Sequence, residues 1–130
     1  MIADVERVAS RWLRDQASEL RVVGRPPAQT DTPWVEVIQL DATDQTPPTE
    51  HLVGFLMQFS VYAGRAGGQP EANQVGRQVR AIIHNMTGVH DDVVVTGVEI
   101  VGDARIADST FEPSRERRIL SAMVWAYGTG

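Results

Sequence analysis

From Leu52 to Ala63 the chain changes face with every residue. Val53, Phe55, Met57, Phe59 and Val61 fall on one side, and Gly54, Gln58, Ser60 and Tyr62 on the other. That period belongs to a strand with one buried and one more polar face. Such a strand needs neighbours to pair with and an apolar layer to cover it. The flanking sequence offers both. Trp34 to Leu40 is rich in β-branched and aromatic residues, Val93 to Val101 reads as another strand, and Leu20 to Val23 as a short one. Arg117 to Tyr127 is the final strand, with Arg117, Ile119, Met123, Trp125 and Tyr127 alternating with Arg118, Leu120, Ala122 and Val124. Its middle is apolar on both faces.

Two segments carry helical spacing instead. In residues 3–20, Val5, Val8, Ala9, Trp12, Leu13, Ala17 and Leu20 form a stripe, with Arg7, Arg11, Arg14 and Asp15 opposite. Asp4 and Glu6 suit its start, and Gly24 follows its end. The second helix opens at Pro70 and closes at Gly88, with Ala72, Val75, Val79, Ile82, Ile83 and Met86 as its stripe. The order predicts an α+β domain of two layers: a mostly antiparallel sheet of about four or five strands with two helices on one face. The 130 residues suffice for a single domain. No internal repeat is present. Trp12 and Phe55 are expected in the core. The unpatterned stretches Asp41–Glu50 and Gly102–Ser114 are expected to be loops used in assembly.

Composition removes several chemistries. Cysteine is absent, which excludes disulfides, thiolate metal sites and cysteine nucleophiles. All 12 basic residues are arginine, so no lysine exists for a P-loop or a Schiff base. A net charge of −5 disfavours binding through phosphate neutralisation. No apolar run approaches bilayer length, and the acidic first residues do not suit a signal peptide.

The remaining motifs are weak. His84, His90, Asp91 and Asp92 are the best metal candidates, but their spacing matches no compact ligand set. No Gly-x-Ser-x-Gly elbow surrounds Ser60, Ser109, Ser114 or Ser121. Glu36 and Glu99 sit in strands as polar-face residues. The run Gly64 to Glu71 has the strand-to-helix context of a phosphate loop. However, Pro70 lacks an N–H and Glu71 would repel an anion, so a tight turn with positive φ at Gly67 or Gly68 is expected. Catalytic, cofactor and metal residues are therefore expected to be none.

Two stretches together resemble a known family. Phe59-Ser60-Val61-Tyr62-Ala63-Gly64-Arg65-Ala66-Gly67-Gly68-Gln69-Pro70-Glu71-Ala72, leading into Val79-Arg80-Ala81-Ile82-Ile83-His84, is similar to the tail terminator (tail completion) proteins of long-tailed bacteriophages. The ending from Arg117 to Tyr127 resembles that family's last, arginine-led strand. The first helix and the Pro33–Val37 segment fit the same layout, so the resemblance covers most of the chain. It implies a small α+β structural protein of the virion, not an enzyme, that forms a homohexameric ring at the head-proximal end of the tail. Its partners would be further copies, the major tail tube protein and the head-tail connector or stopper protein, and genomic DNA would pass through the lumen without specific binding. The interface residues expected on this reading are Asp41, Asp44, Arg65, Arg77, Arg105, Arg115, Arg117, Arg118 and Trp125. Three alternatives stand beside it: another head-tail joining or tube protein, a dimeric ferredoxin-like ligand-binding domain, and a small magnesium nuclease using Asp91, Asp92 and Glu99.

Overall fold

The computed structural model describes residues 3–23, 32–42, 52–64, 67–108 and 115–129. The elements, in chain order, are α1 (Val5–Gln16), β1 (Arg21–Val23), β2 (Trp34–Ala42), β3 (Val53–Tyr62), α2 (Gly68–His84), β4 (Gly88–His90), β5 (Val93–Asp108) and β6 (Arg115–Gly128). The strands form one sheet in the order β1-β2-β3-β6-β5-β4. β1 joins β2 in parallel, and all other pairs are antiparallel. The α+β class therefore holds, with a correction to its form: the sheet has six strands, is mixed, and curls into a half-barrel instead of lying flat.

The strand count differs because β4 is a three-residue hairpin partner, Gly88–His90, too short to show a period. β5 also exceeds the sequence-based boundary at Val101 and runs on to Asp108, so the first half of the expected Gly102–Ser114 loop is strand. The cause is register. Bulges near Thr96 and Val101 each reverse the alternation, which hides a 16-residue strand from a period-2 reading. Asp41 and Ala42 likewise belong to β2. Residues 43–50 and 109–114 lie outside the described residues.

Both helices cover the same face. Val5, Val8, Ala9 and Leu13 of α1 and Val75, Val79 and Ile83 of α2 share one cluster with Val35 and Val37, with alternate residues of β3 from Val53 to Val61, and with Leu120, Ala122, Val124 and Ala126. Phe55 is 1% exposed, as expected. α1 is held at its start by Asp4, whose side chain accepts from the Arg7 N–H at 3.1 Å, and at its flank by Glu6, which accepts from the Gln39 N–H at 3.0 Å.

Trp12 is the second correction. It packs against the core but stays partly exposed, because its indole N–H donates to the Ile82 carbonyl of α2 at 2.8 Å. The ring also meets His90 edge-on at 5.3 Å. A polar tip of this kind keeps an aromatic at the margin of an apolar layer. Phe55→Ala is expected to cost about 3–5 kcal/mol, measured by urea unfolding. Trp12→Phe, which keeps the ring bulk and removes the N–H, is expected to cost only about 0.5–1.5 kcal/mol, because the Ile82 carbonyl still accepts from the Asn85 N–H at 3.2 Å.

Candidate assembly surface

With the helices on one face, the opposite face of β2, β3, β6 and β5 is formed by the alternate residues. At its centre lies Trp125, paired in register with Gly54 of β3 on one side and Gly97 of β5 on the other. The indole lies over both backbones. A Cβ placed on Gly54 would come within 2.6 Å of Trp125 Cζ3, so only glycine admits the ring. Trp125 nevertheless remains 36% exposed. Next along the face come Leu56, Met123 and Glu99, and Asp41 stands opposite Leu56. Asp41, Ala42, Gly54, Leu56 and Met123 line a shallow cleft of about 160 Å³. Leu40 and Leu52, at the adjoining ends of β2 and β3, are 51% and 46% exposed. The result is an apolar strip with two acids beside it, Asp41 and Glu99.

The other end of the same face is filled. Trp34 stacks on Tyr62 with ring centres 4.7 Å apart, and the Arg117 guanidinium lies 5.0 Å above the Tyr62 ring. Arg117 also donates to Ser60 Oγ at 2.9 Å, as does Gln58 at 3.1 Å. Trp34, Glu36, Ser60 and Tyr62 are buried here although no helix of the described residues covers them. Arg117 thus acts within the subunit.

Arg118 points to the helix side, where it is 20% exposed and grips Asp103 side-on with two bonds of 2.7 Å. Arg80 of α2 adds a third at 3.1 Å, and Asn73 accepts from Arg118 at 3.3 Å. Gly76 makes this possible: a Cβ there would meet Arg118 Cδ at 2.7 Å. The knot joins α2, β5 and β6. The Arg118 hydrogen bonds, aided by the charges of Arg118 and Arg80, hold the Asp103 carboxyl below its ordinary value, and Asp103 in turn raises Arg118.

The expected interface residues therefore divide. Asp41, Arg117 and Trp125 lie on the outer face, whereas Arg118 and Arg105, which pair in register, and exposed Arg77 of α2 lie on the helix side. Arg115 opens β6. Arg65 and Asp44 lie outside the described residues. Sequence reading missed Asp103, placed in a supposed loop, and the roles of Gly54 and Gly76. A glycine inside an otherwise bulky strand was the available signal for Gly54.

The metal candidates serve the fold. Asp91, at φ 54° in the β4–β5 turn, pairs with Arg11 at 2.7 Å, and Asp92 pairs with Arg7 at 3.0 Å. These arginines stand one helical turn apart, so α1 holds the turn through two exposed pairs of small individual energy. His90 Nε2 lies 2.6 Å from the Met86 carbonyl, which places its proton on that nitrogen. His84 is exposed at the end of α2. Among the described residues no group of His, Asp or Glu is placed to hold a metal ion. The Gly64–Glu71 turn has its positive φ at Gly68, +60°, and Glu71 accepts from the Gly64 N–H at 2.7 Å, a carboxylate turned onto the amide that an anion would seek.

No helix of the described residues is long and apolar enough to cross a membrane. No protein-family model matches the chain, and no curated protein matches it significantly.

The Asp103 knot makes acid stability testable. Because its folded value is lowered, Asp103 contributes stability that is fully present above the ordinary aspartate value of 3.8 and lost as pH falls through the depressed one. Urea melts taken from neutral into acid pH are expected to show this loss in the native chain. In Asp103→Asn the neutral-pH stability is expected to be lower and the acid-side slope shallower.

Proposed function

We propose that the chain is a structural subunit of a phage tail: the terminator, forming a ring at the head-proximal end of the tail tube, stopping its polymerisation and presenting the head-joining surface. The observation that carries the reading is the outer face of β6 and β3, where Trp125, Met123 and Leu56 form an apolar strip with no helix of the described residues over it. A subunit working alone has little reason to keep such a strip on a strand whose opposite face already supplies the core. A ring of identical subunits uses heterologous contacts, so each copy needs two different patches, of which this is one. The resemblance of Phe59–Ala72, Val79–His84 and Arg117–Tyr127 to the terminator family supplies the rest. On this reading the protein is not an enzyme. Its partners are further copies, the tube protein and the connector, and its place is the tail of the virion. DNA would pass through a lumen of acidic subunits without specific binding, in keeping with a net charge of −5.

Light scattering over a range of concentrations tests the reading. A homohexamer's mass, approached as concentration rises, is expected for the native chain. Trp125→Glu is expected to keep its circular dichroism spectrum and to move to the monomer. A monomer at every concentration, a dimer indifferent to Trp125→Glu, or magnesium-dependent DNA cleavage that tracks the purified protein would overturn it.

A further inference from the structure

The sheet ends in two unlike edges. β1 is three residues long, and its Val22 carbonyl accepts from the Arg14 guanidinium at 2.9 Å. On the other side β4 covers only Val93–Val95, whereas β5 continues to Asp108. Alternate residues of a strand turn both N–H and C=O to the same edge, so β5 presents a row of donors and acceptors away from β6. From Thr96 to Arg105 nothing among the described residues pairs with that outer edge. The bulges near Thr96 and Val101 divide the edge into short registers, with Gly97–Ile100 regular between them. That discourages open-ended sheet growth and leaves room for one short strand.

Beside this edge, α2 and β5 enclose a groove of about 610 Å³. Val98, Ile100 and Ala81 give it an apolar lining, and Arg77, Arg80 and His84 stand along the helix rim. The rim residues recur at one-stripe helical spacing and are all exposed. Arg80 is tied to Asp103, while Arg77 has no ion pair among the described residues. Glu99 borders the groove along the β5 backbone, but its register partner Met123 puts its side chain on the opposite face. A strand added about 4.8 Å beyond β5 would turn alternate side chains under that basic rim and against Val98 and Ile100.

We propose that the free edge of β5 and the α2 groove bind an extended peptide segment of another polypeptide by strand addition, the helix-facing side of that segment carrying apolar and acidic side chains. The main-chain ladder supplies affinity, and the groove supplies the choice of side chain. The site is independent of the ring: it uses the sheet edge and the helix side, not the Trp125 face.

The probe is acetyl-Thr-Glu-Thr-Val-Thr-Glu-Thr-Val-Thr-amide, titrated into the ¹⁵N-labelled full chain. Amide shifts and slowed exchange are expected at Thr96–Arg105, with side-chain shifts at Arg77 and His84. The double variant Arg77→Glu, His84→Glu changes two exposed positions and is expected to keep the native thermal midpoint while binding about fivefold more weakly. The same peptide with lysine for glutamate, or with proline at its central threonine, is expected to bind more weakly still. Shifts located elsewhere, no binding at all, or equal binding of the lysine or proline peptide would overturn the proposal. So would β5 amides that become protected with rising protein concentration and no peptide, since a second copy would then hold the edge.

Discussion

Everything in this molecule hangs on β6. The sheet's first half, β1-β2-β3, and its second half, β5-β4, meet only through that strand, which pairs with β3 from Arg117 to Ala126 and with β5 along its whole length. A strand in this place must satisfy two ladders and two faces together. Leu120, Ala122, Val124 and Ala126 are small or medium residues that fit beneath two helices. On the reverse, Trp125 is accommodated because its register neighbours are glycines.

Charge fastens what burial alone would leave loose. α2 lies over β6, and the arginine–aspartate knot of Arg118, Asp103 and Arg80 pins it there and carries the fastening out to β5. At 20% exposure this is a half-desolvated bidentate pair, more directional than the open pairs that link α1 to the β4–β5 turn. With no lysine in the chain, such fork-shaped pairing is available at every basic position. Acidic groups that resemble metal ligands in the sequence are thereby engaged by arginines. This is the physical reason that Asp91 and Asp92 form a structural clasp with Arg11 and Arg7.

The two surfaces left over differ in kind. The outer face offers apolar side chains, centred on Trp125, and suits a broad contact with another folded surface. The β5 edge offers main-chain groups and a basic-rimmed groove, and suits a single extended segment. They face opposite sides of the sheet.

Periodicity in the sequence was enough to place α1, α2, β2, β3 and β6, because a strand with one core face and a helix with one apolar stripe each repeat on their own geometry. It also put Phe55 in the core and Trp125 on a face beyond core needs. It failed where periodicity is broken or too short. Bulges hid the length of β5, three residues were too few to announce β4, and a hydrogen bond to a distant carbonyl drew Trp12 to the margin. Among the expected interface residues, sequence alone could not divide Arg117 from Arg118, since adjacent strand positions differ only in which face they take. Tertiary structure decided that division, placing Arg117 over Tyr62 and Arg118 on Asp103. The choice depends on which sheet face the helices cover, and that is set by long-range packing and not by any local run of residues.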